Sequence, residues 1–195
     1  DLDFLKEHSE GLIATSGCLS GQVPRALFNN DQERAEKYLQ WYLDVFGRDR
    51  FFIELQSHDI NGLAQLNQRL IDLGNQFDVQ FVAANDVHYI NKEDARLQDI
   101  LLAIQTGSLL ADPDRMRMDD DSYYLRTPQE MESLFGHVPG AIENTMKIAE
   151  RCDVDLTPTG YHLPLFTVPE EFTAQSYLRH LCVEGLNRIY GDHAN

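Results

Sequence analysis

Asp86 and His88 stand two residues apart at the end of the apolar run Phe81-Val82-Ala83-Ala84. Side chains at alternate positions of an extended chain point the same way. If the extended geometry persists past Ala84, a carboxylate oxygen and an imidazole nitrogen converge just beyond the C-terminal end of a strand. That donor pair suits a divalent metal of the zinc, manganese or iron type. The C-terminal end of a parallel strand is also where α/β proteins usually place their chemistry. The same residues admit another reading, in which Asp86 caps a turn and His88 is an ordinary packed histidine.

Cys18 offers a third donor. It sits in the small-residue loop Gly17-Cys18-Leu19-Ser20-Gly21, directly after the apolar run Gly11-Leu12-Ile13-Ala14-Thr15. In a parallel sheet or barrel, the loops after the first and third strands open on one face, so a thiolate, a carboxylate and an imidazole could meet there. A glycine-rich turn with an inert cysteine is the alternative. Glu54, opposite the face of Phe51, Ile53 and Leu55, either points into a barrel mouth as an acceptor behind the ligands or lies at the surface. His58 precedes a helix that Asp59 is placed to N-cap. Neither Glu54 nor His58 is assigned to a metal. Tyr123 and Tyr124 read as packing residues, Arg115 and Arg117 as loop salt-bridge partners, and His162 as a linker residue without a catalytic role.

The elements that must position these groups alternate in type. Strands are expected at Gly11–Thr15, Phe51–Leu55 and Gln80–Ala84. A helix over about 31–46 carries Ala35, Tyr38, Leu39, Tyr42 and Phe46 on one face, with Asp31 as its N-cap. A second carries Leu63, Leu66, Leu70 and Leu73, with Gly74 and Asn75 near its end. A third, capped by Asn91, runs to about Gln105 with Leu97, Ile100, Leu101 and Ile104 inward. Three βα units in tandem imply parallel strands with right-handed crossovers, in a doubly wound sheet or part of a barrel. Farther on, Ser122–Arg126 reads as a short strand, and Thr127-Pro128-Gln129-Glu130 has the signature of a helix start. Helices are expected over about 138–152 and 173–190, the latter packed through Leu178, Leu181, Leu186 and Ile189. Thr157-Pro158-Thr159-Gly160 is a turn cluster and Leu163–Pro169 an extended segment, so the best internal boundary lies near Pro158.

Composition narrows the classes of function. The 195-residue chain carries a formal net charge of −16. A nucleic-acid-binding domain usually shows a basic footprint, so the chain is not expected to grip DNA by itself. No apolar run approaches the roughly 20 residues of a membrane span. The three cysteines, Cys18, Cys152 and Cys182, lack paired spacing and argue for a reducing, cytoplasmic setting. Cys182 is expected in the core and Cys152 half-buried at a helix end. The chain opens in what reads as mid-helix, without a start methionine, so a fragment of a longer protein is expected.

Several segments together carry a family resemblance. Gly11 through Gly21, Phe52-Ile53-Glu54-Leu55-Gln56-Ser57-His58 and Ala84-Asn85-Asp86-Val87-His88-Tyr89 are similar to the family of bacterial replicative DNA polymerase III alpha subunits. So are Ile104-Gln105-Thr106-Gly107, Ile148-Ala149-Glu150-Arg151-Cys152 and Tyr161-His162-Leu163-Pro164. The resemblance implies that residues 1–157 form the later part of a polymerase-and-histidinol-phosphatase (PHP) domain, a distorted seven-stranded β/α barrel. Residues 158–195 would then lead into the polymerase palm. It further implies that Cys18, Asp86 and His88 match three of nine metal ligands, for zinc, manganese or magnesium. The other ligands would lie upstream of Asp1 and the palm aspartates downstream of Asn195. The parent would be a DNA-directed DNA polymerase acting on DNA and deoxynucleoside triphosphates, alongside a proofreading subunit, a sliding clamp and a clamp loader. Its PHP site would hold a metal-dependent 3′–5′ exonuclease or serve only as structure. Two other classes compete: a free-standing PHP phosphoesterase, disfavoured by the region after Pro158, and a purely structural docking module, disfavoured by the retained Cys18, Asp86 and His88. The piece by itself is expected to be inactive.

Overall fold

Three parallel strands, β1 (Ala14–Thr15), β2 (Phe51–Leu55) and β3 (Gln80–Ala83), lie side by side in the order β1-β2-β3. This is a computed structural model, and it describes residues 2–158, 160–161 and 163–191. The chain divides into two units, Asp1–Asp153 and Val154–Asn195. In the first, Ala14 pairs with Phe51, and Ile53 with Phe81. β2 is central and almost wholly buried, as expected for a parallel strand covered on both faces.

The helices of the first unit are α1 (Leu2–Glu7), α2 (Gln22–Phe28), α3 (Gln32–Phe46), α4 (Leu63–Phe77), α5 (Ala95–Thr106), α6 (Pro128–Phe135) and α7 (Glu143–Arg151). Asp31 caps α3 by accepting from the Arg34 N–H at 3.1 Å, and Ala35, Leu39, Leu43 and Phe46 are buried. α4 buries Leu63, Leu66, Leu70 and Leu73. Both helices pack on β2, and α7 packs on β3. The buried Asn144 of α7 donates to the Phe81 carbonyl at 2.9 Å, which ties that helix to the sheet. At α6 the expected start is realised as a capping box between Thr127 and Glu130 with Pro128 in the first turn.

Several expectations need correction. β1 is only two residues long, shorter than the expected Gly11–Thr15, pairs with β2 alone among the described residues, and is preceded by an exposed Leu12. Helix α2 had no expected counterpart. The N-cap of α4 is Gly62, at φ +86°, and not Asp59. Asn91 caps a short 3-10 turn, Lys92–Asp94, ahead of α5. On α5, Leu97, Leu101 and Ile104 face solvent, while Leu102 and Ala103 are buried. Ser122–Arg126 forms no strand and contributes one parallel bridge, Tyr124 to Tyr89. α7 starts at Glu143, five residues late, because Pro139 and Gly140 (φ +79°) interrupt the helix.

The second unit holds an irregular segment followed by α8 (Ala174–Tyr190), whose cap Thr173 accepts from the Ser176 N–H at 3.2 Å. Leu178, Leu181, Leu186, Ile189 and Cys182 are exposed on it, against the expectation of packing. Cys152 is exposed as well. Thr159 of the turn cluster and His162 lie outside the described residues.

Candidate metal centre

Because the strands are parallel, their C-terminal ends share one edge of the sheet. Cys18, His58 and Asp86 each stand three residues beyond the end of their own strand. The edge therefore collects a thiol, an imidazole and a carboxylate, with His88 two residues farther along the third loop.

Asp86 and His88 meet there. The Nε2 atom of His88 lies 3.3 Å from Oδ1 of Asp86, with both side chains about two-fifths exposed. Two ligands each about 2.0–2.1 Å from one tetrahedral ion stand about 3.3–3.4 Å apart, so this spacing fits a shared ion as well as a direct contact. The backbone route differs from the expected one. β3 ends at Ala83, and Asp86 has φ +31°, in the left-handed region. Aspartate tolerates that region better than most residues, and a non-glycine residue held there at an exposed edge marks a constrained turn. A turn, and not a continued strand, brings the two side chains together.

Cys18 is exposed and lines a small cleft with Glu54 and Gln56. Glu54 is half-buried there, accepting from the Thr15 hydroxyl and from the Gln56 amide, both at 2.6 Å. Among the described residues, no three His, Cys, Asp or Glu side chains are gathered closely enough to hold an ion between them. The sheet order supplies a reason. β2 runs between β1 and β3, which sets the outer strands roughly 10 Å apart, and Cys18 and the Asp86–His88 pair hang from those outer strands.

The loop of β3 is held by residues 123–126. The N–H of His88 donates to the Tyr123 carbonyl at 2.8 Å, and the Leu125 N–H donates to the Tyr89 carbonyl at 3.2 Å. Asn85 donates to the Tyr124 carbonyl at 2.9 Å. Arg126 spans two loops, donating to Asn85 Oδ1 at 3.1 Å and to the Ser57 carbonyl at 2.8 Å. The buried ring of Tyr123 stacks on His58, centroids 4.1 Å apart at 8°, and meets His88 edge-on at 5.5 Å and 81°. Burial and the neighbouring Asp119 carboxylate push the Tyr123 phenol up, so it stays protonated. The packing role expected of Tyr123 is what the structure shows.

His58, unassigned by its sequence, is the centre of a polar line. Its Nδ1 lies 2.7 Å from Ser122 Oγ, which donates to Asp120 Oδ1 at 2.5 Å. The single hydroxyl proton goes to the carboxylate, so Ser122 accepts from His58, and the tautomer assigned by this network carries its proton on Nδ1. Burial, then the Arg126 charge, lower the His58 pKa, while Asp120 and Asp86 partly oppose them. The ring is therefore neutral near pH 7, and its Nε2 lone pair is buried without a hydrogen-bond partner among the described residues. Its matching position after β2 was the available signal for this residue. Arg115, expected in a loop salt bridge, makes one with Asp99, two contacts at 2.6 and 2.5 Å.

The comparisons with known proteins bear on the same region. A PHP domain model matches residues 1–58. The DNA polymerase III subunit alpha of Borreliella burgdorferi is 43% identical over 192 residues, covering 97% of this chain and 17% of that protein. The corresponding subunit of Thermus aquaticus is 42% identical over 201 residues, with 98% and 16% covered. That of Treponema pallidum is 40% identical over 191 residues, with 97% and 16% covered. The chain spans about one sixth of the length of the curated relatives it matches. The resemblance read from the sequence thus holds along nearly the whole chain, and the three-stranded parallel sheet with its helices is part of a PHP-type α/β fold. Among the described residues, no helix is long and apolar enough to cross a membrane.

Proposed function

We propose that the chain is a segment of a bacterial DNA polymerase III alpha subunit, and that Asp86 and His88 are ligands of a divalent metal ion in its PHP part. The similarity over 97% of the chain supports the first half of this reading. The 3.3 Å approach of His88 Nε2 to Asp86 Oδ1 carries the second. Residues 1–157 are the later part of the PHP domain, and 158–195 lead into the palm. The parent is a cytoplasmic DNA-directed DNA polymerase that extends primers with deoxynucleoside triphosphates. It works with a proofreading subunit, a sliding clamp and a clamp loader.

Asp86 and His88 offer a hard oxygen and a borderline nitrogen, a set that suits zinc or manganese and accommodates magnesium less readily. An ion bound there supplies Lewis acidity toward a phosphodiester and lowers the pKa of its water, as 3′–5′ exonuclease proofreading requires. The chain's own residues hold the two donors in place: Asn85 and Arg126 brace the loop, and the Tyr123 carbonyl fixes the His88 backbone. Cys18 is a further ligand in the intact domain, completed by donors from outside this segment, and the segment alone lacks both activities.

The test is the full-length polymerase carrying Asp86→Ala with His88→Ala. Metal content by elemental analysis and chelator-sensitive degradation of single-stranded DNA should both fall, while primer extension should suffer less, because the palm supplies its own metals. Unchanged metal content in a folded double variant would remove these residues from the site.

A further inference from the structure

Resting on the reading of Asp86 and His88 as metal ligands, we propose that His58 is a positioning residue: through Tyr123 it sets the orientation of the His88 ring. His88 sits on a loop and is about two-fifths exposed, so its backbone hydrogen bond alone leaves its side-chain torsions free. A productive ligand must be held to within about 10–20°. Two surfaces restrain the ring. Asp86 meets Nε2 at one end, and the buried Tyr123 ring meets the imidazole edge-on at 5.5 Å.

Tyr123 must then be fixed in turn. The face-on partner of its ring is His58, at 4.1 Å and 8°. His58 cannot rotate out of that stack without breaking its 2.7 Å contact to Ser122, which Asp120 holds at 2.5 Å. Asp120 is anchored by the Asp59 N–H, one residue from His58. The line Asp120–Ser122–His58–Tyr123–His88 thus joins the loop of β2 to the loop of β3 through residues 119–123. A histidine serving only as packing would fill the same space without the directed contact to Ser122.

Zinc affinity of the full-length polymerase, measured by competition with a chromophoric chelator, tests this alongside thermal unfolding of the metal-free protein. Asp86→Ala with His88→Ala defines the part of the binding that belongs to this site. Loss of groups that orient a ligand typically costs about 10–100-fold in metal affinity, and that is the loss expected for His58→Ala and for Ser122→Ala. His58→Phe keeps the stack and should recover part of the loss. A folded His58→Ala protein with parental affinity, beside a double variant that has lost this binding, overturns the positioning role and leaves the metal site standing. Unchanged binding in the double variant overturns both. If His58→Ala fails to fold, Ser122→Ala decides, since it removes a single oxygen.

Discussion

Helices α4 and α5 make an instructive pair. Both follow a strand of the same sheet, and both carry large apolar residues at helical spacing. In α4, Leu63, Leu66, Leu70 and Leu73 are each at most 6% exposed. In α5, Leu97, Leu101 and Ile104 are each more than half exposed. The difference lies in what each helix has to land on. α4 is the crossover from β2 to β3, so the chain's return to the sheet presses its apolar face onto strands already in place. α5 leaves β3, the last strand of this sheet, and no further strand lies beside it among the described residues. An apolar stripe records which side of a helix would be covered. The cover itself belongs to another part of the topology.

The largest expected effect lies on α4. Leu70→Ala removes buried methyl groups from a closed core and should cost about 2–5 kcal/mol, read as a lower midpoint in urea with an unchanged slope. A cost under about 1 kcal/mol would mean that the core relaxes around the gap and that the contrast with α5 is overstated.

Gly74→Ala sharpens the same contrast. An added Cβ would stand 2.5 Å from ring carbons of Phe81 and 3.0 Å from the end of Ile53, so either the buried Phe81 ring or α4 itself would have to shift. Overpacking of this kind costs about 1–3 kcal/mol, against the roughly 1 kcal/mol that alanine gains over glycine in a helix. A stabilised Gly74→Ala protein would show that the Phe81 ring turns aside at little cost.

Acid titration probes a region held by polar contacts instead. Glu130 accepts from the Tyr124 hydroxyl, and from the backbone N–H and hydroxyl of Thr127, and its carboxyl is held down to about 2 against an ordinary 4.5. A depressed carboxyl stabilises the fold fully above its unfolded pKa and loses that contribution as pH falls toward its folded one. Stability should therefore decline between about pH 4.5 and 2, and Glu130→Gln should flatten that part of the profile. An unchanged profile would show that the hydrogen bonds at the start of α6 are equally good for a neutral side chain.

The legible and illegible parts of the molecule divide along similar lines. α3, β2 and α4 announce themselves because burial imposes a period on neighbouring residues, and Asp31 and Thr127 mark their helix starts by local hydrogen bonds. Asp86 and His88 were legible as a pair for a reason only half realised: they do meet, but through a left-handed turn at Asp86. The line from His58 through Ser122 to Asp120 was not legible, because it closes across 64 residues between loops that have no period to read. The exposed faces of α5 and α8 fail for the opposite reason: the period is present, and nothing in it says whether a partner surface follows.

The smallest expected effect is the counterpart of the first. Leu101 is 58% exposed, on the solvent side of α5 opposite Leu102 and Ala103. Leu101→Ala removes the same atoms as Leu70→Ala, but it opens no cavity, and alanine is at least as good a helix former as leucine. Surface substitutions of this type stay within about ±0.5 kcal/mol. Equilibrium unfolding of the two variants, side by side and at several protein concentrations, therefore separates burial from mere apolarity. Equal costs for Leu70→Ala and Leu101→Ala at every concentration would show that the α5 face is covered within the chain and would erase the contrast. A cost at Leu101 that grows with concentration would show instead that a second copy supplies the surface that β3 leaves missing.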